Sequence, residues 1–269
     1  MTAPSIATRV LPPLGLGSRR AIHLVERNLR VYRQLWLIVF SGFFEPVFYL
    51  FSISIGIEKL VGDISIGSTA VRYAAWAAPA LLAASAMNGA IFESTMNIFF
   101  KLKYGKIYDG MLATPIGPGD IAIGEITWSL IRGGLYSTAF IVVMAVMGLI
   151  SSPWGILALP AALLIGFAFA AVGMAATTYM RSWQDLDLVT LATLPLFLFS
   201  ATFYPLSLYP GWLQAVARFS PLYHGVELCR ALTLGIFDWS VVGHVAFLVA
   251  LGTVGLTIAG RRIAQLLLK

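Results

Sequence analysis

Residues Lys101–Ile121 read KLKYGKIYDGMLATPIGPGDI, with three lysines, four glycines and two prolines between two long apolar runs. How this stretch is read decides the fold. If it is a water-exposed connection between two bilayer crossings, the chain around it is a membrane protein with its inner face here. The whole sequence supports that reading. Of 269 residues, 59% are hydrophobic and 11% charged, and the mean hydropathy is +0.85. A soluble domain carries about a quarter charged residues. With less than half that share, no water-facing surface can be built, so the main solvent is lipid.

A helix needs about 20 apolar residues to cross the hydrocarbon core. Six stretches qualify, at about 35–57, 73–100, 121–150, 154–179, 186–204 and 241–260. The fold class expected is therefore all-α integral membrane, with six transmembrane helices in one transmembrane domain over 35–269. No internal repeat, soluble domain or secretory signal is expected.

Lysine and arginine set the orientation. With both termini cytoplasmic, the inner segments hold thirteen: Arg9, Arg19, Arg20, Arg27, Arg30, Arg33, Lys101, Lys103, Lys106, Arg181, Arg261, Arg262 and Lys269. The outer segments hold four: Lys59, Arg72, Arg218 and Arg230. The pI of about 9.6 thus reflects topology, and nucleic acid is not an expected partner. The apolar segment Leu206–Leu234 contains Pro210-Gly211 and Pro221, which break a single helix. A seventh crossing would also put the C-terminal cations outside. The segment is expected to form a re-entrant helical hairpin before the last span, or else a loop flat on the outer headgroups.

Residues 1–17 are expected as a flexible cytosolic tail and 18–34 as an interfacial amphipathic helix. Ile22, Val25, Leu29, Tyr32 and Trp36 recur at steps of three and four, with Arg20, Arg27, Arg30 and Arg33 largely off that stripe. Within Lys101–Asp120, residues 107–113 have room for about two helical turns, stopped by Thr114-Pro115, and Asp120 is placed to cap the third span. The loop is longer than a tight hairpin requires and keeps Ile107, Met111, Leu112 and Ile116. A short helix with an apolar face and charged rim suits a groove on another protein. The alternative is a plain solvated loop.

The spans themselves carry Glu45, Asn88, Glu93, Glu125 and Arg132, and charges at that depth face partners or water. Glu93 and Glu125, near the cytoplasmic boundary, are expected to reach the interface or pair with Lys101 or Lys103. Glu45 and Arg132, deeper, are expected to approach each other or to pair within a dimer. Pro46 permits a kink beside Glu45. The chain has no phosphate-binding loop and no metal-ligand spacing. His23, His224 and His244 are too scattered to suggest a metal, and Cys229 reads as an apolar filler. No cofactor is expected in this chain.

The run Gly110–Ile116 (GMLATPI), followed by Asp120–Glu125 (DIAIGE), resembles ABC-2-type transporter permeases, in particular the NodJ-like subgroup named for the nodulation lipo-oligosaccharide exporter. So do Phe203–Pro205 and the run Arg218–Arg230 (RFSPLYHGVELCR), in the same order and spacing along nearly the whole chain. The resemblance implies a permease subunit in a bacterial cytoplasmic membrane. It implies a second permease copy, as a homodimer or a heterodimer with a related permease, and a cytosolic ABC ATPase that binds ATP and Mg. It places ATPase coupling on Ile107, Tyr108, Asp109, Met111 and Leu112, with a smaller contact at Arg181 and Asp185. Pro221, Glu227 and Arg230 fall in the re-entrant signature. An amphipathic cargo is implied: a lipo-oligosaccharide, a glycolipid or a drug. The outer aromatics, such as Tyr204 and Trp212, read as an interfacial belt or as a rim for that cargo. Two other classes are compatible with the residues alone, an ATPase-independent channel or secondary transporter and a membrane-embedded lipid-modifying enzyme.

Overall fold

The computed structural model describes residues 17–33, 44, 47–66 and 69–267. The tail at 1–16, the start of the expected first span at 35–43, and Glu45 and Pro46 lie outside the described residues. Among those described, four helices are long and apolar enough to cross a bilayer: Tyr73–Tyr104, Pro118–Val146, Pro153–Thr177 and Ser240–Leu267. The described end of the first span is helical over 47–52, passes through a π turn at Ile53–Ile57, and stops at Val61. An antiparallel hairpin, β1 (Asp63–Ile66) with β2 (Thr69–Arg72), then leads into the second span; hydropathy gave no sign of it.

The second span is the hub. Its upper part, α2 (Tyr73–Phe92), is alanine-rich and buried nearly all round, with Ala74, Ala77, Ala80 and Ala83 at 0% exposure. Small side chains let neighbouring helix backbones approach closely, which is how helices associate where lipid removes the hydrophobic drive. The lower part, α3 (93–104), contains two π turns, Glu93–Asn97 and Phe100–Tyr104. The helix therefore runs past the expected end at 100, and Lys101 and Lys103 belong to it rather than to a loop. Lys106, in the left-handed region at φ 44°, turns the chain into the short helix α4 (Ile107–Leu112).

The third span, α5 (Pro118–Val146), starts with Pro118 at its first turn, and Asp120 accepts from the Gly117 N–H at 3.0 Å. The interfacial helix, α1 (Gly17–Arg33), lies against it. Gly124 makes that contact possible, because a Cβ there would meet Leu24 Cβ at 2.9 Å and the Ala21 carbonyl at 3.2 Å. The face of α1 turned to the protein is Ala21, Leu24 and Asn28, while Ile22 and Leu29 of the expected apolar stripe are 51% and 59% exposed. The helix thus has a second apolar face beside the one that periodicity detected, and that second face is the one packed on the protein.

The fourth span runs from a 3-10 turn at Pro153–Leu157 into α6 (Ala158–Thr177). The expected fifth span is α7 (Asp185–Phe199), whose 15 residues rise about 22 Å. That is short of the roughly 30 Å hydrocarbon core. It ends five residues before the expected boundary, at Ser200 and the positive-φ residue Ala201. Residues 206–234 break into a 3-10 turn and two short helices, α8 (Gly211–Phe219) and α9 (Pro221–Leu234), at the two prolines that the sequence marks. Gly235, at φ 76°, ends α9 in a left-handed cap. α9 is largely buried against the second and fourth spans, and a Cβ at Gly225 would meet Ile165 at 2.8 Å. The last span, α10 (Ser240–Leu267), packs along α6.

That last packing depends on Gly255, where a Cβ would lie 2.8 Å from the backbone of Ala171 and Val172. Backbone cannot move aside as a side chain can. Gly255→Leu should therefore cost about 1–3 kcal/mol, read as a lowered thermal unfolding midpoint in detergent. Gly243→Ala, with open space around its position, should leave the midpoint unchanged.

Candidate functional site: a two-tier polar network under the interfacial helix

Glu93, Asn97 and Lys101 follow one another at helical spacing of four along the second span. Asn28 and Tyr32 do the same on α1, and Glu125, Arg132 and Tyr136 share one side of α5. The fold brings these three stripes together in two tiers.

In the upper tier Arg132 forms a buried ion pair with Glu93. Its guanidinium also donates to Tyr32 Oη at 3.0 Å and Tyr136 Oη at 3.1 Å, and sits 4.7 Å over the Tyr32 ring. Asn97 Nδ2 donates to Glu93 Oε1 at 2.6 Å, and the Tyr32 hydroxyl donates to the same oxygen at 3.2 Å. Burial first, then the neighbouring Glu93 carboxylate, pushes the Tyr32 phenol up to about 12, so it stays a donor. Glu45 lies outside the described residues, and among those described the carboxylate that meets Arg132 is Glu93 of the second span.

In the lower tier Lys101 Nζ lies 2.7 Å from Glu125 Oε2 and 3.0 Å from Oε1. Asn28 Nδ2 donates to Glu125 at 3.3 Å, and the Tyr108 hydroxyl donates to Glu125 Oε1 at 3.2 Å. Glu125 and Lys101 are 2% and 8% exposed, so Lys101 is no solvated topology signal. Burial and the adjacent Glu125 carboxylate hold the Tyr108 phenol well above its ordinary value. Tyr108 is thus the inward anchor of α4. Asp109 and Gly110 are exposed, and Ile107, Met111 and Leu112 are half-buried.

The turn at residues 181–187 is ordered by its own carboxylate. Asp185 Oδ2 accepts from the backbone N–H of Arg181 at 2.7 Å and of Ser182 at 3.2 Å. Those two N–H groups hold the Asp185 carboxyl below the usual range. Arg181, Trp183, Gln184 and Asp187 are exposed.

At the other end of the molecule Arg230 is 6% exposed on α9. It pairs with Glu227 at 2.5 Å, donates to the carbonyls of Ala201 at 3.0 Å and Trp76 at 3.3 Å, and lies 4.0 Å over the Trp76 ring. Pro221 opens the same helix, while Asn88 stands exposed on the second span. His224 and His244, which the sequence keeps twenty residues apart, meet with Nδ1 atoms 2.8 Å apart. Among the described residues no three His, Cys, Asp or Glu side chains gather as a metal site.

Removing one member of a buried ion pair strands the other, at a cost of about 3–5 kcal/mol. Glu93→Gln and Arg132→Gln should each lower the unfolding midpoint in detergent strongly. The double variant should recover much of the loss, and a strictly additive double-mutant cycle would refute the pairing.

The ABC-2 type transporter family profile matches residues 20–234. Nodulation protein J of Rhizobium leguminosarum bv. trifolii is 32% identical over 234 residues, covering 86% of this chain and 88% of that protein. Nodulation protein J of Sinorhizobium fredii is 32% identical over 205 residues, covering 76% and 77%. The profile spans both tiers of the network, the short helix α4 and the helix that holds Arg230. This multi-pass membrane chain therefore belongs to the ABC-2 type transporter family.

Proposed function

We propose that the chain is the permease subunit of an ATP-binding-cassette exporter in a bacterial cytoplasmic membrane, with both termini cytosolic. It pairs with a second permease copy and is driven by a separate cytosolic ATPase, which supplies the ATP and Mg chemistry. Its cargo is amphipathic and leaves at the outer face. The observation that carries this reading is the hydrogen bond from Tyr108 to Glu125. It ties the one short helix between the second and third spans to the charged network joining those spans to α1. A push on Asp109, Met111 and Leu112 would pass through a single side chain into three membrane helices at once. Packed elements of this kind shift between discrete arrangements rather than deforming smoothly. The first π turn of the second span carries Glu93 and Asn97, the second carries Lys101, and such turns recur at functional sites in helices.

The exposed Arg181–Asp187 turn is the second ATPase contact. α8 and α9 are the two arms of a hairpin entering the outer leaflet, which is tolerable because protein buries α9. Tyr204, Trp212 and Phe219, at 60%, 70% and 80% exposure, form the rim past which an amphipathic molecule leaves.

Two substitutions separate docking from transmission. Leu112→Asp should abolish co-purification with the ATPase. Tyr108→Phe deletes one hydrogen bond to a charged group, worth about 1.5–3 kcal/mol. It should keep the complex but lower cargo-stimulated ATP turnover roughly tenfold. Unchanged co-purification and turnover in both variants would overturn the proposal.

A further inference from the structure

A cavity of about 650 Å³ lies inside the chain, between the second span, α6, α7 and α10. Its wall is hydrocarbon: Phe169, Val172, Ala192, Leu196 and Leu251 are among its lining residues. The two hydroxyls in that wall are already satisfied, Thr95 by the Ile91 carbonyl at 2.6 Å and Thr193 by that of Thr190 at 3.2 Å. Both hydroxyl protons are thus spent within the protein, and the wall is otherwise apolar, so what fills the cavity along its length is apolar.

Its two ends differ. The cytosolic mouth is formed by Tyr179, Met180, Arg181 and Asp185. The Asp185 carboxylate is bound to two backbone N–H groups, whereas the Arg181 side chain is exposed. Arg262 lies 4.3 Å over the Tyr179 ring, and its Nε is buried with no hydrogen-bond partner among the described residues. The far end is closed by Pro221, where Ser220 and Ser200 hydroxyls meet at 2.5 Å. Between Asp185 and Leu196 the α7 wall rises about 16 Å, close to half of the roughly 30 Å hydrocarbon core. A site one leaflet tall, oily along its walls and cationic at its cytosolic mouth matches one class of molecule.

We infer that this cavity holds one acyl chain of an anionic phospholipid from the inner leaflet, with its phosphate at Arg181 and Arg262. The site is a lipid-binding site within one chain, behind α7. It is separate from the outer aromatic rim and does not depend on an ATPase partner.

Native mass spectrometry of the full-length chain, delipidated in detergent and titrated with phosphatidylglycerol or phosphatidylcholine, tests this. One phosphatidylglycerol should be retained per chain, at least tenfold more tightly than phosphatidylcholine. Ala192→Phe and Val172→Phe, filling the cavity from opposite walls, should each weaken retention at least tenfold, and Ala192→Gly should not. Arg181→Gln should reduce the preference for the anionic lipid while leaving the chain folded, and decides the matter should both filled variants aggregate. Equal retention of the two lipids by the unaltered chain, or retention unaffected by the filled variants, overturns the inference. Loss of self-association with lipid retention intact would also overturn it, by making the cavity an interface between copies. Because no ATPase is present, none of these results can be confused with failure of the coupling role.

Discussion

Charge buried at membrane depth must be neutralised where it stands, and this constraint organises the inner half of the molecule. Glu93 with Arg132, and Glu125 with Lys101, are pairs whose members come from different spans. Either member left unpaired would be costly in a low-dielectric surrounding. Each pair therefore fixes which faces of the second and third spans meet, more sharply than apolar side chains can in lipid. Asn28 and Tyr32 then use the remaining hydrogen-bonding capacity to hold the interfacial helix. The cytosolic helix joins the same system through Tyr108. The four elements are one polar unit in which no member can shift without exposing another's charge.

The sequence made part of this legible. Low charge and long apolar runs showed a helical membrane protein, and the four described crossings all fall on expected spans. The prolines at 210 and 221 marked where the segment before the last span breaks. The spacing of Glu93, Asn97 and Lys101 already put three polar side chains on one helical face. What could not be read was which face of which helix lay opposite. Depth alone left the partner of Arg132 open, and Glu93 meets it because pairing is decided by helix neighbours in the membrane plane. The stripe on α1 was found, but the equally regular set Ala21, Leu24 and Asn28 was hidden because alanine and asparagine carry little hydrophobic signal. The meeting of Lys101 with Glu125 was among the expected pairings, whereas Arg230 was counted as a topology charge because burial through cation–π and carbonyl contacts has no signature in charge counting. The meeting of His224 with His244 depends on how α9 folds back on α10, and no periodicity within either helix reports it.

The outer half repeats the logic by other means. Arg230 holds α9 to the second span through the Trp76 ring and carbonyl, and reaches the chain leaving α7 through the Ala201 carbonyl. Tyr73 Oη donates to the Phe203 carbonyl at 2.9 Å, a second tie to that same chain. Close glycine and alanine packing does the rest, at Gly225 against Ile165 and Gly255 against Ala171. The second, third, fourth and last spans are thereby locked at both ends.

α7 stands apart from this block. None of its residues is buried, and Leu188, Leu191 and Leu194 are more than half exposed. Its ends are nevertheless held, below by the Asp185 turn and above by the carbonyls that Arg230 and Tyr73 bind. A helix fixed at both ends but loosely packed along its length has few side-chain contacts to break when it tilts or bows. Pro195 within it removes one backbone hydrogen bond and makes bending easier still. The second and third spans are, by contrast, cross-tied by buried charged pairs. α7 carries none of those ties, and an apolar cavity lies at its back. Stiffness in the cross-tied spans and compliance at α7 follow from one distribution of buried polar contacts, dense around Glu93 and Glu125 and sparse along α7.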